Sequence, residues 1–183
     1  LPSEPAPPFV GPNAMIIEGI GEPLGEPGAP NPDIHTYDFD YSFYPPGTPV
    51  QDVDVRVHLI QHTWLPDLDI VASNPAGDEV DVFAVTGCFG AEFDIDCTFD
   101  DEGTGGLTQC VDLNVGGANI QCLVAPGVQQ NDVLEDFDGT DAGGIWTLRY
   151  QDNVLGDDGI IMIAGLIVTA DAPAVAPEDN CTN

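Results

Sequence analysis

Beyond residue 34 the chain alternates apolar and polar residues with a period of two. Tyr37, Phe39, Tyr41 and Phe43 interleave with Asp38, Asp40 and Ser42, which predicts a half-buried strand with an acidic outer face. Tyr44-Pro45-Pro46-Gly47 ends it. Val53, Val55, Val57 and Leu59 alternate with Asp52, Asp54, Arg56 and His58 in the next strand. A short loop then leads to a strand over 68–72, and Asn74-Pro75-Ala76-Gly77-Asp78 turns the chain into another over 79–86. Further strands are predicted around 96–99, 106–113 and 120–124. Trp146, Leu148 and Tyr150 then alternate with Ile145, Thr147, Arg149 and Gln151, and a last apolar strand covers 160–169. Between these two lie Asp152-Asn153 and Gly156-Asp157-Asp158-Gly159, where short polar side chains bond their own backbone and glycine accepts positive φ, so turns are favoured. No apolar 3.6-residue period persists over three turns. Many short strands punctuated by turn residues predict an all-β fold, a jelly-roll-type β-sandwich over residues 34–172, with 173–183 as a C-terminal tail.

Residues 1–33 break the pattern. They hold LPSEPAPPFVGP and GEPLGEPGAPNPD, and proline and glycine at this density predict an extended arm with no core of its own. Between the two halves lies the apolar run AMIIEGI. Met15, Ile16, Ile17 and Ile20 are therefore candidate docking residues, either as a strand added to a neighbouring subunit's sheet edge or folded back over their own domain.

Charge changes the picture most. Asp and Glu number 32 against two basic residues, Arg56 and Arg149, for a net charge of -30. Nothing here can neutralise phosphates, so nucleic acid is excluded as a partner, and an anionic membrane surface is disfavoured. Such a charge opposes compaction, so a counterion should matter to stability. Aspartate outnumbers glutamate 23 to 9, which favours turns and tight oxygen cages over helices. Adaptation to high salt would explain the total charge but not its clustering in glycine-rich turns. Asp152, Asp157 and Asp158 crowd one short loop, which is either fully solvated or holds a cation.

The chain begins with Leu1, which points to a removed leading segment, and no apolar run approaches membrane-spanning length. Cys88, Cys97, Cys110, Cys122 and Cys181 lack a C-x-x-C spacing. In an exported chain they read as a disulfide framework, with Cys88–Cys97 and Cys110–Cys122 as local hairpin staples. Cys181 is then left over, either free or paired with another chain.

Two stretches together carry a family resemblance. HTWLPDLDIVASNPAGDEV (62–80) resembles the His-Thr-Trp, Asp-Leu, Ser-Pro-x-Gly-Thr hairpin of the P domain, the jelly-roll module that follows the catalytic domain of kexin- and furin-like proprotein convertases. FDGTDAGGIWTLRYQDNVLGDDGIIMIAGLIVTA (137–170) is similar to that module's closing hairpin, and CTFDDEGTGG resembles its Phe-Asp-Asp loop. The matches fall in the family's order. The sequence departs from it at Asn74, where serine is common, at Asp69, and through its cysteine-bearing middle. The resemblance implies a non-catalytic, calcium-binding module, with Asp67, Asp100, Asp101, Asp152, Asp157 and Asp158 as candidate ligands. Hard oxygen donors at turns suit calcium over zinc or copper. His62 is expected to orient its loop by hydrogen bonding, and Trp64 and Trp146 to pack in the core.

Catalytic patterns are missing from the sequence. Ser3, Ser42 and Ser73 sit in no nucleophile-elbow motif, His35, His58 and His62 lack metalloprotease spacing, and lysine is absent. The expectation is a secreted or cell-surface structural protein, calcium-stabilised, that forms a homo-oligomer or polymer such as a layer or filament through its arm and Cys181. The alternatives are an accessory domain of a secreted subtilisin-like protease and a carbohydrate- or surface-binding module.

Overall fold

A computed structural model describes residues 13–64, 67–84, 93–100, 109–110 and 134–170. The strands are β1 (Ala14–Leu24), β2 (Asp33–Asp40), β3 (Val50–His62), β4 (Leu68–Ser73), β5 (Glu79–Ala84), β6 (Phe93–Phe99), β7 (Gln109–Cys110), β8 (Ile145–Asp152) and β9 (Gly159–Ala170). They form two antiparallel sheets, one ordered β1-β9-β3-β6-β7 and the other β2-β8-β4-β5. A short 3-10 turn, Leu134–Phe137, was not anticipated from the sequence. The all-β sandwich is the architecture that the alternation predicted. Among the described residues, no helix is long and apolar enough to cross a membrane.

Alternation builds the core directly. Val53, Val55, Val57 and Leu59 of β3, with Leu166 and Val168 of β9 beside it, share one buried cluster with Trp146, Leu148 and Tyr150 of β8, Phe39 of β2 and Ile70 of β4 from the other sheet. Polar tips of buried aromatics bond backbone, so their burial leaves no donor stranded. The Tyr41 hydroxyl donates to Leu166 O (2.6 Å), Tyr44 to Val168 O (3.0 Å) and Tyr150 to Ile163 O (2.9 Å). Each of these bonds runs from a residue in or flanking the β2-β8 sheet to a carbonyl of β9, and so ties the two sheets together. Trp146 is fully buried, and its Nε1 donates to Ala142 O at 2.9 Å.

The arm residues have a different place from a tail. β1 pairs with β9 from Ala14↔Ile167 to Leu24↔Gly159, so this stretch is an edge strand of its own sandwich. Its pairing is interrupted between Glu18 and Glu22, where Gly19 and Gly21 both take φ of +67°. Those glycines let the strand bulge and resume, which the proline- and glycine-rich composition had concealed. Met15 and Ile20 pack against the core, whereas Ile16 and Ile17 are exposed at the edge.

Candidate functional site

At one end of the sandwich the ends of β1, β3 and β8 bring a set of polar side chains onto the buried face. Asp152 arrives by simple parity, because residues 146, 148, 150 and 152 of β8 all point inward. His62 arrives by a break in parity. The inward residues of β3 are odd-numbered from Val53 to Leu59, but the pairing with both neighbouring strands shifts there, and Gln61 takes φ of +60°. The extra residue turns His62 onto the core side, where it is fully buried.

There His62 Nε2 meets Asp152 Oδ2 at 3.1 Å, both side chains wholly shielded from solvent. Asp152 Oδ1 accepts from the Val154 N–H at 2.8 Å, and His62 Nδ1 is buried without a hydrogen-bond partner. Burial holds the Asp152 carboxyl above the usual carboxylate range, against the opposing pull of the Val154 N–H and His62. Burial likewise pushes the His62 imidazole down, although Asp152, Asp157 and Asp67 favour its charged form. Backbone packs closely around the pair. A Cβ on Gly25 would overlap Asp152 Oδ2, and one on Gly159 would lie 2.9 Å from His62 Cβ.

Three loops converge on this pair. Gly156 N–H donates to Gly25 O at 3.0 Å, and Asn153 N–H to Asp67 O at 2.9 Å. Asn153 Nδ2 also donates to Asp69 Oδ2 at 2.8 Å, and Thr63 Oγ1 to Asp157 Oδ1 at 3.1 Å. The β8–β9 turn is thereby fastened to the β1–β2 and β3–β4 connections. Asp67 sits at this junction, its carboxyl held above its ordinary range first by burial and then by the charges of Asp152 and Asp157.

Behind it lies a second polar group that the sequence reading missed. Asp33, buried and in register with Asp152, accepts the Gly25 N–H at 2.8 Å. His35 lies between two carboxylates, Nδ1 at 3.0 Å from Glu22 and Nε2 at 3.4 Å from Asp33, and Tyr37 donates to Glu22 at 2.7 Å. The signal available for Asp33 was its inward parity with Phe39.

The candidate ligands divide into two groups. Asp67, Asp152 and Asp157 share the junction, with Asp158 exposed nearby on an open pocket of about 210 Å³ lined by Glu26 and Gln61. Asp100 follows Phe99, which pairs with Val55, and so lies roughly 25 Å along β3 from His62 at about 3.3 Å per residue. Asp101 is outside the described residues, as are Cys88, Cys122 and Cys181. Among the described residues, no three His, Cys, Asp or Glu side chains are gathered into a ready metal cage. Asp152 in particular bonds inward rather than towards solvent. The expectation for Trp64 also needs correction: it is 36% exposed, in the loop just beyond the bulge, and is not a core residue.

Fold and site together define a two-sheet β-sandwich domain whose loops are locked at one acidic end. No protein-family model matches the chain, and no curated protein matches it. Among the solved structures that resemble it are two of a bacterial serine protease. One is a serine protease of Aeromonas sobria in complex with its chaperone, at 19% identity and a TM-score of 0.48, covering 86% of this chain and 26% of the other. The second is the serine protease of Aeromonas sobria, at 17% identity and a TM-score of 0.46, covering 90% and 28%. This chain therefore spans little more than a quarter of either.

Proposed function

We propose that this chain is a non-catalytic, extracellular interaction module whose acidic loop junction is stabilised by calcium. The observation that carries the reading is the meeting of Asp67 and Asp157 above a buried His62–Asp152 pair. Burial and like charge make ionised Asp67 unfavourable there, and a hard divalent cation would relieve both repulsions. Asp67 and Asp157 would hold the ion, with loop carbonyls and water completing its shell, while Asp152 and His62 fix the loops from behind. The sequence resemblance to the P domain supports the same reading and includes the alternative of an accessory domain of a secreted protease.

Calcium titration followed by calorimetric melting tests this. The wild-type melting temperature should rise with calcium and fall in chelator, and the Asp67→Asn/Asp157→Asn variant should melt identically in both. A wild-type melt indifferent to calcium would overturn the assignment.

A second reading, self-assembly, is favoured by the β1 edge. Ile16 and Ile17 are 44% and 39% exposed on the outermost strand of the five-stranded sheet. An apolar edge strand is a template for pairing with a second copy. Light scattering should then show particles larger than a monomer, and Ile16→Lys/Ile17→Lys should return them to monomer. A monomeric wild type at all concentrations removes this reading.

A further inference from the structure

The geometry points to a cross-strand disulfide between Cys97 and Cys110, in place of the two local staples, Cys88–Cys97 and Cys110–Cys122, that sequence spacing suggested. β6 and β7 are antiparallel neighbours in which Cys97 is the register partner of Cys110 and Thr98 that of Gln109. Directly opposed residues in such a pair share one face of the sheet, with Cα atoms about 4.5–5.5 Å apart. A disulfide needs Cα atoms about 4.4–6.8 Å apart, so this backbone register meets its requirement without movement.

The sheet gives the bond something to do. Among the described residues, β7 is a two-residue strand that pairs with β6. A covalent link at Cys97↔Cys110 would hold this pairing in register. The ring closed by the link also contains Asp100 and Asp101, so it would restrict the loop that carries both carboxylates. That consequence is independent of whether either residue binds a cation.

The bond forms by thiol–disulfide exchange with a small-molecule or protein disulfide. One cysteine thiolate attacks the donor disulfide and expels one thiol, and the other cysteine then resolves the mixed disulfide and expels the second. With oxidised glutathione, two protein thiols become one protein disulfide and two reduced glutathione molecules are released.

The aspartates allow a direct test. Cleavage before each aspartate places every cysteine in its own fragment: 81–93, 96–99, 101–111, 112–131 and 179–183. The full-length protein, equilibrated with oxidised and reduced glutathione, is alkylated and digested without reductant, then analysed by mass spectrometry. Fragment 96–99 should be found linked to 101–111, the species disappearing on reduction. Linkage of either fragment to 81–93, 112–131 or 179–183, or alkylation of both cysteines, overturns the proposal. Cys97→Ser should in addition leave Cys110 open to alkylation, a gain of one free thiol over the wild type; a Cys110 that stays blocked would also sink it.

Discussion

One inserted residue decides where His62 goes. Strict alternation from Val53 would place it outside the sandwich, and the bulge at Gln61 brings it in to meet Asp152. Removing either partner leaves the other buried and unsatisfied. Asp152→Ala should therefore destabilise the domain by about 3 kcal/mol in chemical denaturation, and Gly25→Ala by at least about 1 kcal/mol, since φ there is +80° and the new methyl group collides with Asp152. Asp67 makes a prediction of opposite sign. Its carboxyl titrates above the ordinary value of 3.8 in the folded protein, so between those two values the folded state binds more protons than the unfolded. Stability contributed by this group is lost as pH rises through that window and stays lost at neutrality. In chelator at pH 7, Asp67→Asn should equal or exceed the wild type in stability, and in calcium it should fall below it. Urea unfolding under both conditions would show the crossing, and a variant less stable in both would make Asp67 a structural residue instead. Asp152 was read as part of a turn, solvated or holding a cation; it is instead the buried last residue of β8, and its parity with Trp146, Leu148 and Tyr150 was the available signal. Nothing in the sequence marks the bulge, so His62 was expected only to bond within its loop.

The strands with clean alternation, β3, β4 and β8, are legible in the sequence with bounds close to those observed. β1 reads as part of an arm, because two glycines and Pro23 break the pattern across AMIIEGIGEPL. The sequence leaves both docking alternatives open, and the described part takes the place on its own domain. That alters how the arm should be dissected. A chain lacking residues 1–24 loses the edge pairing with β9 together with buried Leu24. It should be destabilised by at least about 2 kcal/mol, in line with full burial of a leucine side chain, and circular dichroism melting measures the loss. The Ile16→Lys/Ile17→Lys change keeps β1 in the chain and is the cleaner probe of assembly. That Asp100 lies far from the junction was not legible, since it depends on the antiparallel register of β6 on β3.

Over the whole molecule, the excess of acid sets the solution behaviour. With a net charge of -30 the folded state repels itself, and its two arginines are already engaged, Arg56 with Asp96 and Arg149 with Glu79. Sodium chloride should raise the melting temperature by screening, and calcium at matched ionic strength should raise it further if the junction binds the ion. Fold class followed from periodicity because each strand needs only its own pattern to be recognised. Strand order did not, since it is a property of pairs far apart in the chain. Here those pairs have a particular layout: β9 lies between β1 and β3, and β8 between β2 and β4. The strand that separates β1 from β3 and the strand that separates β2 from β4 therefore both belong to the segment 145–170, one in each sheet. As a ribosome extrudes the polypeptide from its N-terminus, β1 and β2 emerge before their pairing partners β9 and β8 and wait until that segment is made. The sandwich should close only after residue 170 has cleared the exit tunnel, so a nascent chain stalled before 145 should be readily proteolysed. Until then the exposed edges would need to be shielded from aggregation.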